Sequence, residues 1–359
     1  MSTQDRTLDH YQELMTINAT SHILRVSRQV GLIGQLSEGQ KTLEALSANL
    51  GIPLRRMSTM LHCMISIGMV EQYQEDFALS STARLLCQYD ADLGDATWEQ
   101  LADTLREKPS DAPESSEDAG QDAGQDAGQD AGQDAGQRLR ARFDSIAATQ
   151  WVHTPAAMQA AEILDLGPRE ITAENEEPTV TSASSTPIEL LDLGCGSAVW
   201  SCAMGFREPA IQITAIDSEA ALVAADATAT SIGLKDRFQA RVGEVLTTEI
   251  PEDTYDMIVI AQRLHSFAPE QINTVLASAL AGLRSGGRLI VIDSFGGPHR
   301  PTLAESLEAL RIEVQTDAGE VPDLAAAEAC LKNAGFIDVQ FTYIAASRIG
   351  LGMMIGNKS

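Results

Sequence analysis

At 359 residues the chain is longer than one ordinary core requires, so two domains are expected. A formal net charge of −26 and a pI of about 4.5 set the chain as a whole against phosphate backbones and anionic membranes, although a local basic patch remains compatible with them. The five cysteines (Cys63, Cys87, Cys195, Cys202, Cys330) are scattered, without zinc-ligand spacing or a disulfide framework. No basic-then-apolar leader opens the chain and no apolar run approaches membrane-spanning length, so a soluble, reducing, cytoplasmic setting is expected.

Residues 1–88 read as mostly helical. Apolar residues recur at helical spacing through Tyr11, Leu14, Met15, Ile17, Ile23, Leu24, Val26 and Val30, up to a stop at Gly31. Thr42 then caps a short helix that ends at Gly51, and Pro53 opens the next, Leu54 to Ile67. Two short strands, Met69–Tyr73 and Phe77–Leu79, flank a polar turn. This order, helix-turn-helix then hairpin, predicts a winged helix. Its second helix carries Arg55 and Arg56 but is otherwise apolar, whereas DNA-reading helices present several basic and amide side chains. No nucleic-acid partner is therefore expected.

Residues 89–137 form an acidic linker that holds roughly half of the net charge and ends in tandem Asp-Ala-Gly-Gln units at 118–137. The repeat has no apolar side chain larger than alanine, so it has no face to bury. Residues 138–171 read as a linking helical segment, with a helix over Leu139–Leu166 carrying Phe143, Ile146, Trp151, Met158 and Ile163. Residues 172–187 form a second polar linker.

From 188 to 359 strands alternate with helices, the pattern of a parallel sheet with crossovers. Strands are expected at 188–193, 211–216, 238–242, 256–261 and 288–293, and helices near 199–207, 219–232, 270–284 and 322–334. Two closely linked strands, Val339–Ile344 and Leu351–Ile355, predict a hairpin that ends the sheet in an antiparallel strand. The first strand runs into Asp192-Leu-Gly194-Cys-Gly196-Ser-Ala198, and the second ends in Asp217. Glycines permit tight turns and close approach to a ligand, and open α/β sheets bind ligands at strand C-termini. A carboxylate at the second tip suits a ribose diol. The third glycine of a dinucleotide fingerprint is replaced by Val199, which argues against a dehydrogenase.

These motifs resemble the class I, seven-stranded methyltransferases. More narrowly, the chain is similar to small-molecule O-methyltransferases that carry an N-terminal winged-helix dimerisation domain. The resemblance spans nearly everything outside the two linkers. It implies S-adenosylmethionine as cofactor, held by Asp192, Gly194, Gly196 and Asp217, with Glu244 of the Gly243-Glu244 pair near the adenine amine. Ala198 replaces the usual last glycine, and Ser285 replaces the proline that precedes the fifth strand. The resemblance further implies a homodimer and a small phenolic substrate.

Arg263-Leu-His265-Ser266-Phe267 matches the family's Leu-His-Asp-Trp segment, whose histidine is the general base. A phenol, with a pKa of about 10, is protonated at neutral pH, and an imidazole, ordinarily about 6.5, is able to take its proton. Asp293, at the next strand tip, matches an acid that orients this histidine. A second acidic partner expected near Leu324 is absent, and Asp323 is its candidate substitute. Ser266 and Phe267 replace Asp-Trp, which keeps open a C- or N-methyltransferase or a non-methylating relative. A winged-helix regulator is the remaining alternative, and the acidic charge argues against it.

Overall fold

The computed structural model describes residues 3–89, 98–99, 101–106, 147, 149–167, 170–171, 179–180, 186–316 and 318–359. The Asp-Ala-Gly-Gln repeat, Phe143 and Ile146 lie outside the described residues. The chain divides into two compact units, Met1–Gln100 and Leu101–Ser359.

In the first unit, helices α1 (Thr3–Gln29) and α2 (Leu32–Ser37) precede a short strand β1 (Lys41–Thr42), α3 (Leu43–Leu50) and α4 (Leu54–Ser66). Strands β2 (Val70–Tyr73) and β3 (Asp76–Leu79) pair as an antiparallel hairpin, and β1 joins the other edge of β3. Helix α5 (Ser81–Tyr89) follows. The Thr42 hydroxyl accepts from Ala45 N–H and starts α3, and Gly51 ends it at φ 64°, a left-handed conformation that glycine adopts at low cost. Leu32, Leu46, Met57, Leu61, Met64 and Phe77 form the core. Along α1, by contrast, Leu8, Tyr11, Leu14, Met15 and Ile17 are exposed.

The second unit is an α/β structure. It contains α6 (Leu101–Thr104), α7 (Thr154–Ile163), a two-strand ribbon of β4 (Glu170–Ile171) and β5 (Thr179–Val180), then β6 (Ile188–Leu193), α8 (Val199–Arg207), β7 (Ile211–Asp217), α9 (Glu219–Ser231), β8 (Phe238–Val242), β9 (Tyr255–Ala261), α10 (Pro269–Gly282), β10 (Leu283–Ser294), α11 (Leu303–Gln315), α12 (Leu324–Asn333), β11 (Ile337–Tyr343) and β12 (Leu351–Asn357). A seven-stranded sheet runs β11-β12-β10-β9-β6-β7-β8. Its central strands are apolar on both faces, as parallel sheets covered by helices require. Leu190, Val259, Ile290 and Ile292 pack toward α7, α8 and α9; Leu191, Ile258, Ile260 and Val291 pack toward α10 and α12. The chain steps outward from β6 through β7 to β8 and then returns across β6 to β9. The crevice between the tips of β6 and β9 is thus a topological switch point, where such sheets bind ligands.

Several expectations need correction. Among the described residues, the helix expected over Leu139–Leu166 is helical at Ala147 and Thr149, is interrupted by a 3₁₀ turn at Gln150–His153, and resumes as α7. Pro155 supplies no N–H and has a preset φ, so it suits a fresh helix start. The expected C-terminal antiparallel hairpin is present, but its second strand takes the inner position. Strand β12 inserts between β10 and β11, pairing antiparallel with both, and β11 takes the edge. The buried run Leu351–Met354 suits an interior position, whereas β11 is mostly exposed. Helix α11, which the periodicity reading did not include, is set by a capping box in which Thr302 and Glu305 satisfy each other's backbone N–H groups.

Candidate functional site

The tip of β6 turns through Gly194 (φ 75°), Gly196 (φ 55°) and Ala198 (φ 55°) before α8 begins. Alanine holds the left-handed conformation at Ala198 at a cost of about 1–2 kcal/mol, which a glycine would avoid. Gly194 and Cys195 both donate their backbone N–H to Ile216 O, which binds the turn to β7. Asp217, at the tip of β7, is buried. Its Oδ2 accepts from Gly196 N–H at 2.8 Å and its Oδ1 from Ser218 N–H at 2.7 Å. Asp192 is also buried: Oδ2 accepts from the Ser201 hydroxyl at 2.5 Å, and Oδ1 has no hydrogen-bond partner among the described residues. Burial pushes the Asp192 carboxyl up to about 7; the Ser201 bond opposes this, and the charge of Asp217 adds to it.

The loop after β8 closes the far side. Gly243 N–H donates to Asp217 O at 3.0 Å, which tethers the loop, and Glu244 is exposed on it. Val245 reaches the turn as well, since a Cβ at Gly194 would lie 2.9 Å from its Cγ2. The structure thereby gathers Asp192, Gly194, Gly196 and Asp217 into one cradle and leaves Glu244 at its rim.

His265 and Asp293 sit at the adjacent tips of β9 and β10, both about 95% or more buried. His265 Nδ1 pairs with Asp293 Oδ1, and His265 backbone N–H donates to Asp293 Oδ2 at 3.2 Å. One carboxylate thus grips both the ring and the backbone of the same residue. With Nδ1–H donating to Asp293, the ring's lone pair is on Nε2. Asp323 does not join them; its Oδ1 caps α12 by accepting from Ala325 N–H. An apolar cavity of about 450 Å³ adjoins the pair, lined in part by Leu264, His265, Phe267, Ile272, Asp293 and Phe295.

Four more side chains, to which the sequence analysis gave no role, enter the site. Arg263 Nη2 pairs with Asp217 Oδ2 at 2.5 Å, and its Nε donates to Gly194 O at 3.3 Å. Gln150 Oε1 accepts from Ser197 N–H at 2.9 Å and lies over Gly196, where a Cβ would come within 2.5 Å of it. Gln262, at φ 55° just past β9, reaches both Gln150 and His153. His153 in turn stacks on Trp200, whose Nε1 is buried without a hydrogen-bond partner among the described residues. Arg263 carried a signal, as a charge directly after an apolar strand, and Gln262 sits beside it; Gln150 and His153 converge from a distant segment. Cys195 is buried in the turn, where burial, and then the charges of Asp192 and Asp217, raise its thiol well above the ordinary range and disfavour the reactive thiolate.

The residues present fit a nucleoside that carries an amino acid. The partnerless Asp192 Oδ1 matches an ammonium group, Asp217 matches a diol, and the glycines admit close approach. In this conformation Arg263 and Gln150 hold the space directly over both glycines.

Residues 190–287 match a family described as a methyltransferase domain. Among curated proteins, the chain is 28% identical over 150 residues to the L-tyrosine C(3)-methyltransferase of Streptomyces lavendulae, covering 41% of each protein. It is 28% identical over 141 residues to the demethylspheroidene O-methyltransferase of Cereibacter sphaeroides, covering 38% of this chain and 37% of that protein. The matches thus span about two fifths of the length of these relatives. The solved structure of human N-acetylserotonin methyltransferase in complex with SAM aligns with a TM-score of 0.64 at 17% identity, over 100% of this chain and 99% of that one. The second unit therefore carries a methyltransferase domain, and the chain has the fold of the class I, S-adenosylmethionine-dependent methyltransferases.

Proposed function

We propose that the protein is an S-adenosylmethionine-dependent O-methyltransferase acting on a small hydroxylated aromatic compound, with His265 as general base. The observation that carries this reading is the buried His265–Asp293 pair beside the cradle at the switch point. Bound S-adenosylmethionine supplies an electrophilic methyl group on a sulfonium. Asp217 would hold its ribose diol, Asp192 its ammonium group and Glu244 its adenine amine, with Gly194 and Gly196 giving close approach. Asp293 fixes the His265 ring so that Nε2 is the accepting nitrogen. His265 takes the acceptor's hydroxyl proton, leaving a more electron-rich oxygen, and Asp293 stabilises the resulting imidazolium. The apolar cavity beside the pair supports an aromatic acceptor and exclusion of water. The exposed apolar residues of α1 support a homodimer built through the first unit, since such a stripe is a candidate association surface.

The test is a methyl-transfer screen. The full chain is incubated with labelled S-adenosylmethionine and a panel of phenols, catechols, hydroxyquinones and amines, and S-adenosylhomocysteine release is measured. Release with a hydroxylated aromatic, abolished in His265→Ala, is the expected result. Failure to bind S-adenosylmethionine in a calorimetric titration would sink the reading. A second reading, transfer to ring carbon, is favoured by the similarity to a tyrosine C-methyltransferase. Product NMR separates an O–CH₃ from a ring C–CH₃, and turnover that survives His265→Ala would favour an alternative chemistry.

A further inference from the structure

Arg263 stands at the switch point between the acid proposed for the cofactor and the histidine proposed as base. Both it and Asp217 are about 95% buried. The lone pairs of Asp217 decide what else this carboxylate can hold. Each carboxylate oxygen offers about two acceptor positions. Oδ2 already accepts from Gly196 N–H at 2.8 Å and from Arg263 Nη2 at 2.5 Å, and Oδ1 accepts from Ser218 N–H at 2.7 Å. Among the described residues these bonds leave one position, and a ribose diol needs two. The same arginine lies across the glycine turn: its Nε donates to Gly194 O, and a Cβ at Gly194 would meet Nε at 2.8 Å. Arg263 therefore holds both the acceptor and the space that a nucleoside would use.

We propose that Arg263 sets the cofactor affinity of this site by competing with the ribose diol for Asp217. The proposal rests on the reading of the cradle as an S-adenosylmethionine site. Full engagement of the diol requires the guanidinium to leave a buried partner, and separating a buried pair is costly because each charge loses its compensation. Part of the binding free energy is spent on that separation. An apolar side chain at 263 removes the competitor and keeps the two backbone N–H groups that orient Asp217.

The test is calorimetric titration of the full-length wild type and Arg263→Leu with S-adenosylhomocysteine, adenosine and 2′,3′-dideoxyadenosine, with circular dichroism to verify folding. The expected result is S-adenosylhomocysteine and adenosine binding at least tenfold tighter in Arg263→Leu, a smaller gain for the dideoxy analogue, which profits only from the freed space, and a lower melting temperature without ligand. Equal or weaker S-adenosylhomocysteine binding in a folded variant, with the wild type binding, overturns the competition and leaves the cofactor reading standing. If S-adenosylhomocysteine binding weakens while adenosine binding does not, Arg263 holds the ligand's carboxylate and the proposal is overturned. If neither folded protein binds, the cofactor reading fails and the proposal fails with it. If Arg263→Leu does not fold, Arg263→Gln, which removes the charge but keeps a polar stem, carries the same comparison.

Discussion

Asp192 gives the sharpest quantitative test of the cradle. It is fully buried, one oxygen is bonded to Ser201, and the other has no partner among the described residues. Burial raises its carboxyl from the ordinary 3.8 to about 7. The folded state therefore binds this proton more tightly than the unfolded chain. The stability that results is fully present below about pH 4 and is lost as pH rises through about 7. Between those limits the loss amounts to about 4 kcal/mol, at about 1.36 kcal/mol per pH unit. Asp192→Asn keeps the shape and a partner for Ser201 but removes the ionisation. Its stability relative to wild type should rise steadily from pH 5 to pH 7 and level off above pH 8, whatever the other carboxylates contribute to both proteins. Urea unfolding followed by tryptophan fluorescence at several pH values gives the difference curve. A difference that does not change with pH, or one that falls as pH rises, refutes the buried-acid argument. The same acid predicts proton release when an ammonium-bearing ligand binds near pH 6.5, because the cation favours the carboxylate. Titration of S-adenosylhomocysteine in buffers of different ionisation enthalpy measures that release, and Asp192→Asn should abolish it.

Asp293→Asn should lower turnover by about 100-fold or more while leaving S-adenosylhomocysteine affinity unchanged, because the imidazole loses the acceptor that fixes its tautomer; steady-state kinetics beside calorimetry separates the two effects. Gly194→Ala should destabilise the second unit by at least about 1–2 kcal/mol from the left-handed φ alone. Contact with Arg263 and Val245 adds to that cost, and an unchanged urea midpoint would mean that the turn has refolded. In the native protein, Cys195 and Cys202 should resist alkylation, since both are buried and burial pushes the Cys202 thiol up to about 12. Mass spectrometry after brief iodoacetamide treatment should find label on the partly exposed Cys63, Cys87 and Cys330 instead.

The parts of this molecule that the sequence made legible are those in which one local pattern carries one physical demand. The run Ile188–Leu193 is mostly apolar because helices cover both faces of the strand, and the following glycines mark a turn whose φ values are positive. Asp217 is visible because an acid ends an apolar strand, and Asp293 for the same reason. Less legible were features set by partners far along the chain. The antiparallel hairpin could be read from two strands with a short link, but its insertion order depends on which strand has the better buried face. Helix α11 has only Glu308 and Ile312 buried, so its periodicity is weak even though its capping box is present in the sequence. Arg263 is the clearest case. Sequence alone puts a cation after β9, but its partner is 46 residues earlier, on a strand that does not pair with β9. Strand β6 lies between them, paired with β7 through Leu193↔Ile216 and with β9 through Asp192↔Val259. Those two registers bring the guanidinium over Gly194 and onto Asp217. Because side chains alternate faces along a strand, a one-residue slip in either register would turn the neighbouring side chains to the opposite face and disperse the site. The affinity-setting contact proposed for this cradle thus depends on the register of three strands, and no single motif contains it.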